Sequence, residues 1–323
     1  MRDRTSGTTR RVSIGVDRES NGRSLASFLS GDGSVVVFSS EASNLVSGDA
    51  NGELDVFVAP LTGGRTSRVS VGAYGESAGR SEASSVSAGG RLIAFRSFAE
   101  NLVGDDRNLR ADVFVRDDDT GTTEIDNVSS SGSQADGVTF RGMLSGDGRF
   151  VGFRSRAGNL VPDDTNDALD AFVHDRLLGR TRRVSVATDG AQADARGFDG
   201  DGRGNLFMSR PFLSANGRYA AFTSRAPNLV PGDRNGEPDV FVHDLKTGRT
   251  ICVSVAADGG QAKGGSFVSG ISADGRVVAF TSYANNLVPG DTNGRKDVFV
   301  VYLWPRRSRV AAPPPTLGTR RRG

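Results

Sequence analysis

The sequence predicts an all-β protein, a five-bladed β-propeller whose blades are four-stranded antiparallel sheets. Three observations lead to this fold class. A segment of roughly 58 residues recurs five times along the 323-residue chain. Each copy contains four strand-like segments separated by tight-turn residues, and four antiparallel strands per repeat are typical of a propeller blade. The two ends of the chain carry complementary parts of a single copy.

Two short phrases mark each repeat and fix its length. Asp-Val-Phe-Val, with Ala for Val in the third copy, recurs at spacings of 57, 58, 69 and 58 residues, beginning at Asp55, Asp112, Asp170, Asp239 and Asp297. Asn-Leu-Val keeps step with it, beginning at Asn44, Asn101, Asn159, Asn228 and Asn286. Because the two phrases stay in register, chance periodicity does not account for them.

The fifth repeat shows the strand pattern most clearly. Residues 267–272 predict its first strand, and the Asp-Gly turn at 273–276 leads into the second, Val277–Ser282. Residues 297–301 predict the third strand, and residues 250–255 of the preceding repeat show where the fourth lies. The turns contain Asp-Gly or Thr-Gly, which supply the positive φ that tight hairpins need, and the strands are rich in β-branched and aromatic residues.

The two ends of the chain predict how the ring closes. Shifting residues 8–15 by 241 positions places Thr9 on Thr250 and Val12 on Val253, within a fourth strand. The fifth repeat, in turn, stops after its third strand. We therefore expect the N-terminal strand 8–15 to complete the fifth blade, which removes open strand edges from a single domain of residues 1–303.

Residues 304–323 predict a disordered tail, because they combine three consecutive prolines with six arginines and no acid. Removing these six charges from the formal net charge of +2 leaves −4 for the body. A mildly acidic body of mixed signs excludes nucleic acid as an expected partner. The tail either touches an anionic surface or is solvated.

Membrane and redox signals are also weak in this sequence. The longest apolar run, 298–304, is too short to span a bilayer, and no apolar segment of a signal peptide follows Met1. Cys252 is the only cysteine, so no intrachain disulfide is expected. We expect a monomer.

The blade pattern resembles a known class of repeats. Ser-x-Asp-Gly-Arg-x-x-x-Phe-x-Ser, followed by Asp-Val-Phe-Val and Thr-Gly-x-Thr, is similar to TolB-like (WD-like) β-propeller repeats over residues 3–303. The extension Asn-Leu-Val-x-x-Asp-x-Asn-Gly looks like a longer subtype found in bacterial exported proteins. The resemblance implies a propeller fold and a secreted or periplasmic location. It implies less about function, since similar repeats occur in surface proteins and in the propeller caps of some peptidases.

The loop between the second and third strands repeats the pattern DxNxxxD. Oxygen ligands at alternate positions around a sharp turn are what Ca²⁺ requires, so weak calcium sites are predicted there, and no other cofactor is. Alternatively, the same residues form Asx turns that bond their own backbone. The candidate ligands are Asp49, Asn51, Asp55, Asp106, Asn108, Asp112, Asp164, Asn166, Asp170, Asp233, Asn235, Asp239, Asp291, Asn293 and Asp297. Leu109 and Asp167 replace the turn glycine in the second and third repeats.

The fourth repeat carries an insertion before its first strand, where its spacing of 69 exceeds 58 by 11 residues. A long loop on a rigid scaffold is a common place for binding specificity. The alternative is a tolerated surface insertion. The candidate ligand-loop residues are Phe198, Asp199, Asp201, Phe207 and Met208.

His174 and His243 are the only histidines of the chain. They occupy a third-strand position where other repeats have Ala59, Arg116 and Val301, so we expect the position to be exposed. With so few histidines, a hydrolase that depends on His or on zinc is not expected.

Two further patterns resemble functional motifs, a nucleophile elbow and a ring of cations. The segment 75–79 matches the G-x-S-x-G nucleophile elbow, but it lacks the strand, helix and histidine that the elbow needs. The arginines that follow four of the Asp-Gly or Asn-Gly or Gly-Gly turns form either a cationic ring or a set of solvated turn residues; they are Arg91, Arg149, Arg218 and Arg276.

The sequence therefore predicts a non-catalytic binding or scaffold propeller that presents its loop face to a protein or glycan ligand. One alternative is a glycoside-active five-bladed enzyme, which needs nonequivalent carboxylates near the axis. The repeated acids of this chain are nearly equivalent from blade to blade, which favours the binding module. A second alternative is a fragment of a larger exported protein.

Overall fold

A computed structural model describes residues 7–17, 19–194 and 208–303. Five antiparallel sheets follow one another along the chain. Sheet 1 contains β1 (Ser24–Leu29), β2 (Val35–Ser40), β3 (Asp55–Pro60) and β4 (Ser67–Arg68). A two-stranded link hairpin follows, formed by β5 (Val71–Gly72) and β6 (Gly75–Glu76). Sheet 2 contains β7 (Ser81–Val86), β8 (Leu92–Ser97), β9 (Asp112–Asp117) and β10 (Thr122–Ile125).

The same order continues in the other three sheets. Sheet 3 contains β11 (Met143–Leu144), β12 (Phe150–Ser155), β13 (Asp170–Asp175) and β14 (Arg180–Arg183). Sheet 4 contains β15 (Phe212–Leu213), β16 (Tyr219–Ser224), β17 (Asp239–Asp244) and β18 (Arg249–Cys252). Sheet 5 contains β19 (Ser266–Ile271), β20 (Val277–Ser282) and β21 (Asp297–Tyr302). In the described ranges, no helix is long and apolar enough to cross a membrane.

The two central strands of every sheet are pinned by a stacked pair of phenylalanines. In sheet 2, Phe95 lies opposite Phe114 in the ladder, and the two ring centroids are 5.6 Å apart. Equivalent pairs in the other sheets have centroids 5.6 to 5.9 Å apart. Burying each such side chain contributes about 1.5–3 kcal/mol, so the Phe of Asp-Val-Phe-Val is an anchor of the core.

Consecutive sheets are joined through their first hairpin turns. Ala88 N donates to Gly146 O at 2.8 Å between sheets 2 and 3, and Ala215 N donates to Ala273 O at 2.9 Å between sheets 4 and 5. Hydrophobic clusters fill the space between each pair of consecutive sheets, from sheets 1 and 2 through to sheets 4 and 5. In the described part of the chain, no turn-to-turn bond of this kind joins sheet 5 to sheet 1.

The N-terminal residues lie against sheet 1. Val12 packs on a cluster that includes Phe38 and Phe57, and Val16 N donates to Asn44 O at 2.9 Å. Within the described ranges, sheet 5 has three strands. The predicted pairing of residues 8–15 with β21 is not observed there. Val298 and Val300 of β21 consequently remain 74% and 54% exposed.

Candidate functional site

The asparagine of each DxNxxxD loop serves a turn in this structure. Asn51 Oδ1 accepts a hydrogen bond from Glu53 N at 2.9 Å, while its Nδ2 donates to Asp55 Oδ2 at 2.8 Å and to Ser77 O in the next link at 2.9 Å. The same Asx turn recurs at Asn108, Asn166, Asn235 and Asn293. These amides turn a nitrogen, rather than an oxygen, toward the last aspartate of the loop.

The last aspartate of the loop fastens the third strand to the fourth. Asp239 Oδ1 accepts from Ser254 Oγ at 2.6 Å, and Ser254 Oγ accepts from Val240 N at 2.9 Å. Burial is the main cause that raises the pKa of Asp239 to about 6. Ser70 and Ser185 make the same contact to Asp55 and Asp170, and Asn127 does so to Asp112.

The first aspartate of the loop meets an arginine in sheets 1 and 3. Arg68 Nη1 lies 3.3 Å from Asp49 Oδ1 and 3.8 Å from Asp55 Oδ2. Arg183 Nη1 lies 3.1 Å from Asp164 Oδ1, and 3.7 Å from Asp170 Oδ2. In these two sheets a guanidinium supplies the positive charge between the carboxylates.

Sheets 2, 4 and 5 have no arginine at that position. Ile125 and Cys252 pair with Phe114 and Phe241 of the third strand, as Arg183 pairs with Phe172. In sheet 4, Gln261 Nε2 donates to Asp233 Oδ1 at 3.0 Å instead. In sheet 5, Asp291 and Asp297 are only half-buried, because β21 has no fourth strand beside it among the described residues.

The asparagine of Asn-Leu-Val clamps each sheet to the link that precedes it. Asn101 Nδ2 donates to Glu76 O at 2.7 Å, and its Oδ1 accepts from Ala78 N at 2.8 Å. Asn159, Asn228 and Asn286 make the same two bonds. Asn44 makes them to the N-terminal segment, through Glu19 O and Asn21 N. In the sequence, the only sign that this asparagine joins sheet and link was its recurrence in all five repeats. The sequence did not identify the backbone groups that it bonds.

The prediction that the histidines are exposed is wrong. His174 and His243 are buried, with 5% and 6% of their surface exposed. His243 Nδ1 lies 2.9 Å from Thr250 Oγ1, which donates to Val186 O in the preceding link. The position lies between the fourth strand and the preceding link. Arg116 occupies the equivalent position in sheet 2, where it donates to Thr123 Oγ1 at 3.1 Å.

Three of the four arginines after the first turns form ion pairs across their own sheet, whereas Arg276 is 61% exposed and lies 3.8 Å from Asp274 of its own turn. Arg149 Nε and Nη2 donate to the two carboxylate oxygens of Asp175 at 2.8 and 2.6 Å. Arg91 and Arg218 form the same bidentate pair with Asp117 and Asp244. Each pair joins residues 26 positions apart, across the second and third strands of one sheet.

Of the predicted ligand-loop residues, Phe198, Asp199, Asp201 and Phe207 lie outside the described residues. Met208 is fully buried in the core between sheets 3 and 4, and its carbonyl oxygen accepts from Arg154 Nη1. Its side chain is therefore a core group rather than an exposed contact. On the other side of the insertion, Asp194 N donates to Asn228 Oδ1 at 2.8 Å.

A group of arginines lies beside the end of this insertion, and we call it the arginine cluster. Burial lowers the pKa of Arg210, and the charges of Arg141 and Arg154 lower it further. Arg154 stacks over the Phe140 ring at 4.4 Å. Glu82 is a carboxylate partner of the group and accepts from Arg141 at 2.8 Å. The members of the cluster are Arg80, Arg96, Arg141, Arg154 and Arg210.

Sequential four-stranded sheets joined through their first turns define a β-propeller. No family model matches the sequence, and no curated protein matches it. The solved neighbours are TolB and related propellers, as the resemblance predicted.

One neighbour is the β-propeller domain of the Trilobed protease from Pyrococcus furiosus, described as having an open velcro topology. It is 9% identical with a TM-score of 0.50, over 87% of this chain and 69% of that one. Putative TolB from Agrobacterium tumefaciens is 15% identical with a TM-score of 0.46, over 87% of this chain and 82% of that one. TolB from Acinetobacter baumannii is 14% identical with a TM-score of 0.41, over 82% of this chain and 53% of that one. The likeness to the propeller domain of the Trilobed protease, at 9% identity, shows the fold alone.

Proposed function

We propose that this chain is a non-catalytic binding or scaffold propeller that presents its loop face to a protein or glycan. The observation that supports the proposal most is that the described histidines, the serine of the G-x-S-x-G match and the lone cysteine are committed to structural contacts or buried. Both histidines bond a threonine of the fourth strand. Ser77, of the G-x-S-x-G match, is buried and bonds Ser81 and Ser97. Burial raises the pKa of the Cys252 thiol to about 12, which suppresses its reactivity.

The binding site is proposed to combine the insertion at 195–207 with the arginine cluster. Arginine and aromatic side chains are enriched at binding hot spots, and Arg154 and Arg210 each lie over a phenylalanine ring. Burial lowers the pKa of both guanidinium groups, and the charges of Arg141 and Arg154 lower that of Arg210 further, so an added anion would stabilise their charged forms. The site therefore favours an acidic ligand.

The ring is proposed to close through the N-terminal strand, giving five four-stranded blades and a monomer. The N-terminal segment already bonds sheet 1 through Asn44, as the link after every other described sheet bonds the next one. In the repeat, Arg11 and Ser13 correspond to Arg68 and Ser70. They are the two side chains that Asp291 and Asp297 lack. The protein is proposed to work outside the cytoplasm, and a buried, unreactive lone thiol suits an oxidising compartment.

A binding and turnover experiment on the full chain tests this function. We expect binding to sulfated or uronic-acid oligosaccharides, or to acidic peptides, and no hydrolysis of glycosides such as nitrophenyl furanosides. The matched variants are Arg154→Gln with Arg210→Gln, and a replacement of residues 195–207 by the shorter link of the preceding repeat. Both variants are expected to weaken binding at least tenfold, which corresponds to about 1.4 kcal/mol. Turnover by the wild-type protein, or binding that neither variant weakens, contradicts the proposal.

A further inference from the structure

The five DxNxxxD loops share one geometry but differ in what lies between their two aspartates. In sheet 3, Arg183 Nη1 is within 3.7 Å of an oxygen of both Asp164 and Asp170, and Arg183 Nη2 donates to the carbonyl of Asp163 at 3.0 Å. Sheet 1 repeats this arrangement through Arg68. One buried cation thus faces the two buried carboxylates in each of these sheets, and in sheet 1 Arg68 Nη1 also lies 2.6 Å from Glu76 Oε2.

Sheet 2 keeps both carboxylates but has no arginine at this position of the fourth strand; the charges of Arg110 and Arg96 act on Asp112, but among the described residues neither forms an ion pair with it. Ile125 occupies the arginine position, opposite Phe114 in the ladder. Asp112 is 1% exposed and Asp106 is 9% exposed. Asp112 Oδ1 accepts from Asn108 Nδ2 at 3.1 Å and also from Asn127 Nδ2.

Two carboxylate oxygens of sheet 2 are left without any partner. Asp106 Oδ1 and Asp112 Oδ2 are shielded from solvent and accept no hydrogen bond. The equivalent oxygens of sheet 3, Asp164 Oδ1 and Asp170 Oδ2, are the ones that face Arg183. Leaving a buried carboxylate oxygen without a partner is unfavourable, so the arrangement calls for a positive partner. Burial, and then the charge of Asp112, raise the pKa of Asp106 to about 6, which reflects how close the two carboxylates lie.

Sheet 4 shows that a missing arginine does not by itself create such a site. Cys252 takes the arginine position there, but Gln261 donates to Asp233, and Asn235 and Ser254 donate to Asp239. The amide and hydroxyl donors satisfy the carboxylates of sheet 4. In sheet 2 the corresponding glutamine, Gln134, instead donates to the Asp105 carbonyl at 2.7 Å.

We propose that sheet 2 binds one divalent, oxygen-preferring cation of the Ca²⁺ class between Asp106 Oδ1 and Asp112 Oδ2, where sheets 1 and 3 place a guanidinium. The carbonyl of Asp105 is equivalent in the repeat to that of Asp163 and is a third oxygen donor in the loop. Water completes the six to eight oxygens that Ca²⁺ takes. Two carboxylates give weak affinity, with a dissociation constant of about 0.1–1 mM, as in extracellular modules. The site binds in a calcium-rich medium outside the cell and stays empty of Ca²⁺ at cytosolic levels.

Thermal unfolding of the full chain at pH 7.5 tests this site, with and without 10 mM CaCl₂ at matched ionic strength. The wild-type Tm is expected to rise by about 2–4 °C with Ca²⁺, and titration calorimetry is expected to find one site per chain. Ile125→Arg installs the arginine of sheets 1 and 3, so its Tm is expected to lose the calcium response. Asp106→Asn removes one ligand and the repulsion together, and it is expected to fold and to lose the response as well. An unchanged wild-type Tm overturns the proposal, as does a calcium response that survives in Asp106→Asn.

Discussion

His243 is a buried neutral base whose hydrogen bonds fix its tautomer. The hydroxyl hydrogen of Thr250 is directed to Val186 O, so the imidazole Nδ1 must be the donor in its 2.9 Å contact with Thr250 Oγ1. Burial lowers the pKa of His243 to about 4. The Nδ1–H can donate to Thr250 in the neutral and in the charged imidazole, so burial, rather than this hydrogen bond, favours the uncharged form.

This position predicts a pH dependence of stability. Between pH 6.5 and pH 4 the unfolded chain binds a proton at His243 that the folded chain does not, so the folded state loses stability as the pH falls through that window. From pH 7 to pH 5 the loss is about 2 kcal/mol. His243→Asn keeps a donor near the Nδ1 position and is expected to remove that part of the loss. Urea unfolding at both pH values measures it; equal losses in the wild type and the variant contradict the assignment.

Single residues also show where the sequence was insufficient. Asp112 and Asp170 occupy the same repeat position, yet one lacks a cation and the other has one, because the deciding residue lies on another strand at Ile125 or Arg183. The bidentate pair of Arg149 with Asp175 spans 26 positions in the same way. A local sequence pattern identifies a turn or a strand. The side-chain pairs that the sheet register brings together were identified only in the structure.

At the scale of elements, the Asp-Gly or Asn-Gly turn joins one sheet to the one before it. Gly217 has a φ of +64°, and a Cβ there would lie 2.0 Å from Phe150 at the start of the preceding second strand. Gly275 stands in the same relation to Tyr219, and Gly148 to Leu92. The turn glycine is therefore required both by its own backbone and by the neighbouring sheet.

Gly217→Ala is expected to destabilise the protein by about 2–4 kcal/mol, combining left-handed strain of about 1 kcal/mol with overpacking against Phe150. The matched control is Gly48→Ala, where φ is +78° but a Cβ would meet nothing within 4 Å. It is expected to cost only about 1 kcal/mol. Denaturant midpoints at constant m-value measure both. Equal costs at the two positions exclude a role for the sheet-to-sheet contact.

The strands themselves followed closely from the sequence. Val277–Ser282 is observed as predicted, and the third strand of the fifth repeat extends the predicted 297–301 by one residue. Alternating apolar residues and glycine turns specify such elements locally. The fourth strand was predicted at 250–255 and is observed at Arg249–Cys252, although Val253 N, just beyond it, still donates to Val240 O of the third strand at 2.8 Å.

At the scale of the whole molecule, sheets 1 and 5 are complementary. Sheet 5 leaves Val298 and Val300 exposed and has no fourth strand among the described residues. On sheet 1, Leu29 is exposed, and Gly33 has no neighbouring side chain near its Cβ direction, unlike the turn glycines of the other described sheets that face a second strand. Sheet 5 lacks a fourth strand, and the first turn of sheet 1 lacks a neighbouring sheet to pack against. Closing the ring would therefore bury apolar surface on both sheets and remove an open strand edge.

Closure makes a specific prediction about strand register. In sheet 4, Val242 pairs with Ile251, and shifting these positions by the repeat offsets pairs Val300 with Arg10. A Val300→Cys and Arg10→Cys double variant is therefore expected to form an intrachain disulfide in dilute protein, since paired Cα atoms lie about 4.5–5.5 Å apart. The buried Cys252 does not compete, because its thiol pKa of about 12 keeps it protonated. Mass spectrometry of unreduced tryptic peptides identifies the cross-link, with Val298→Cys and Arg10→Cys as the out-of-register control. If the in-register pair yields only intermolecular dimers or cross-links no faster than the control, the N-terminal strand does not complete the fifth blade.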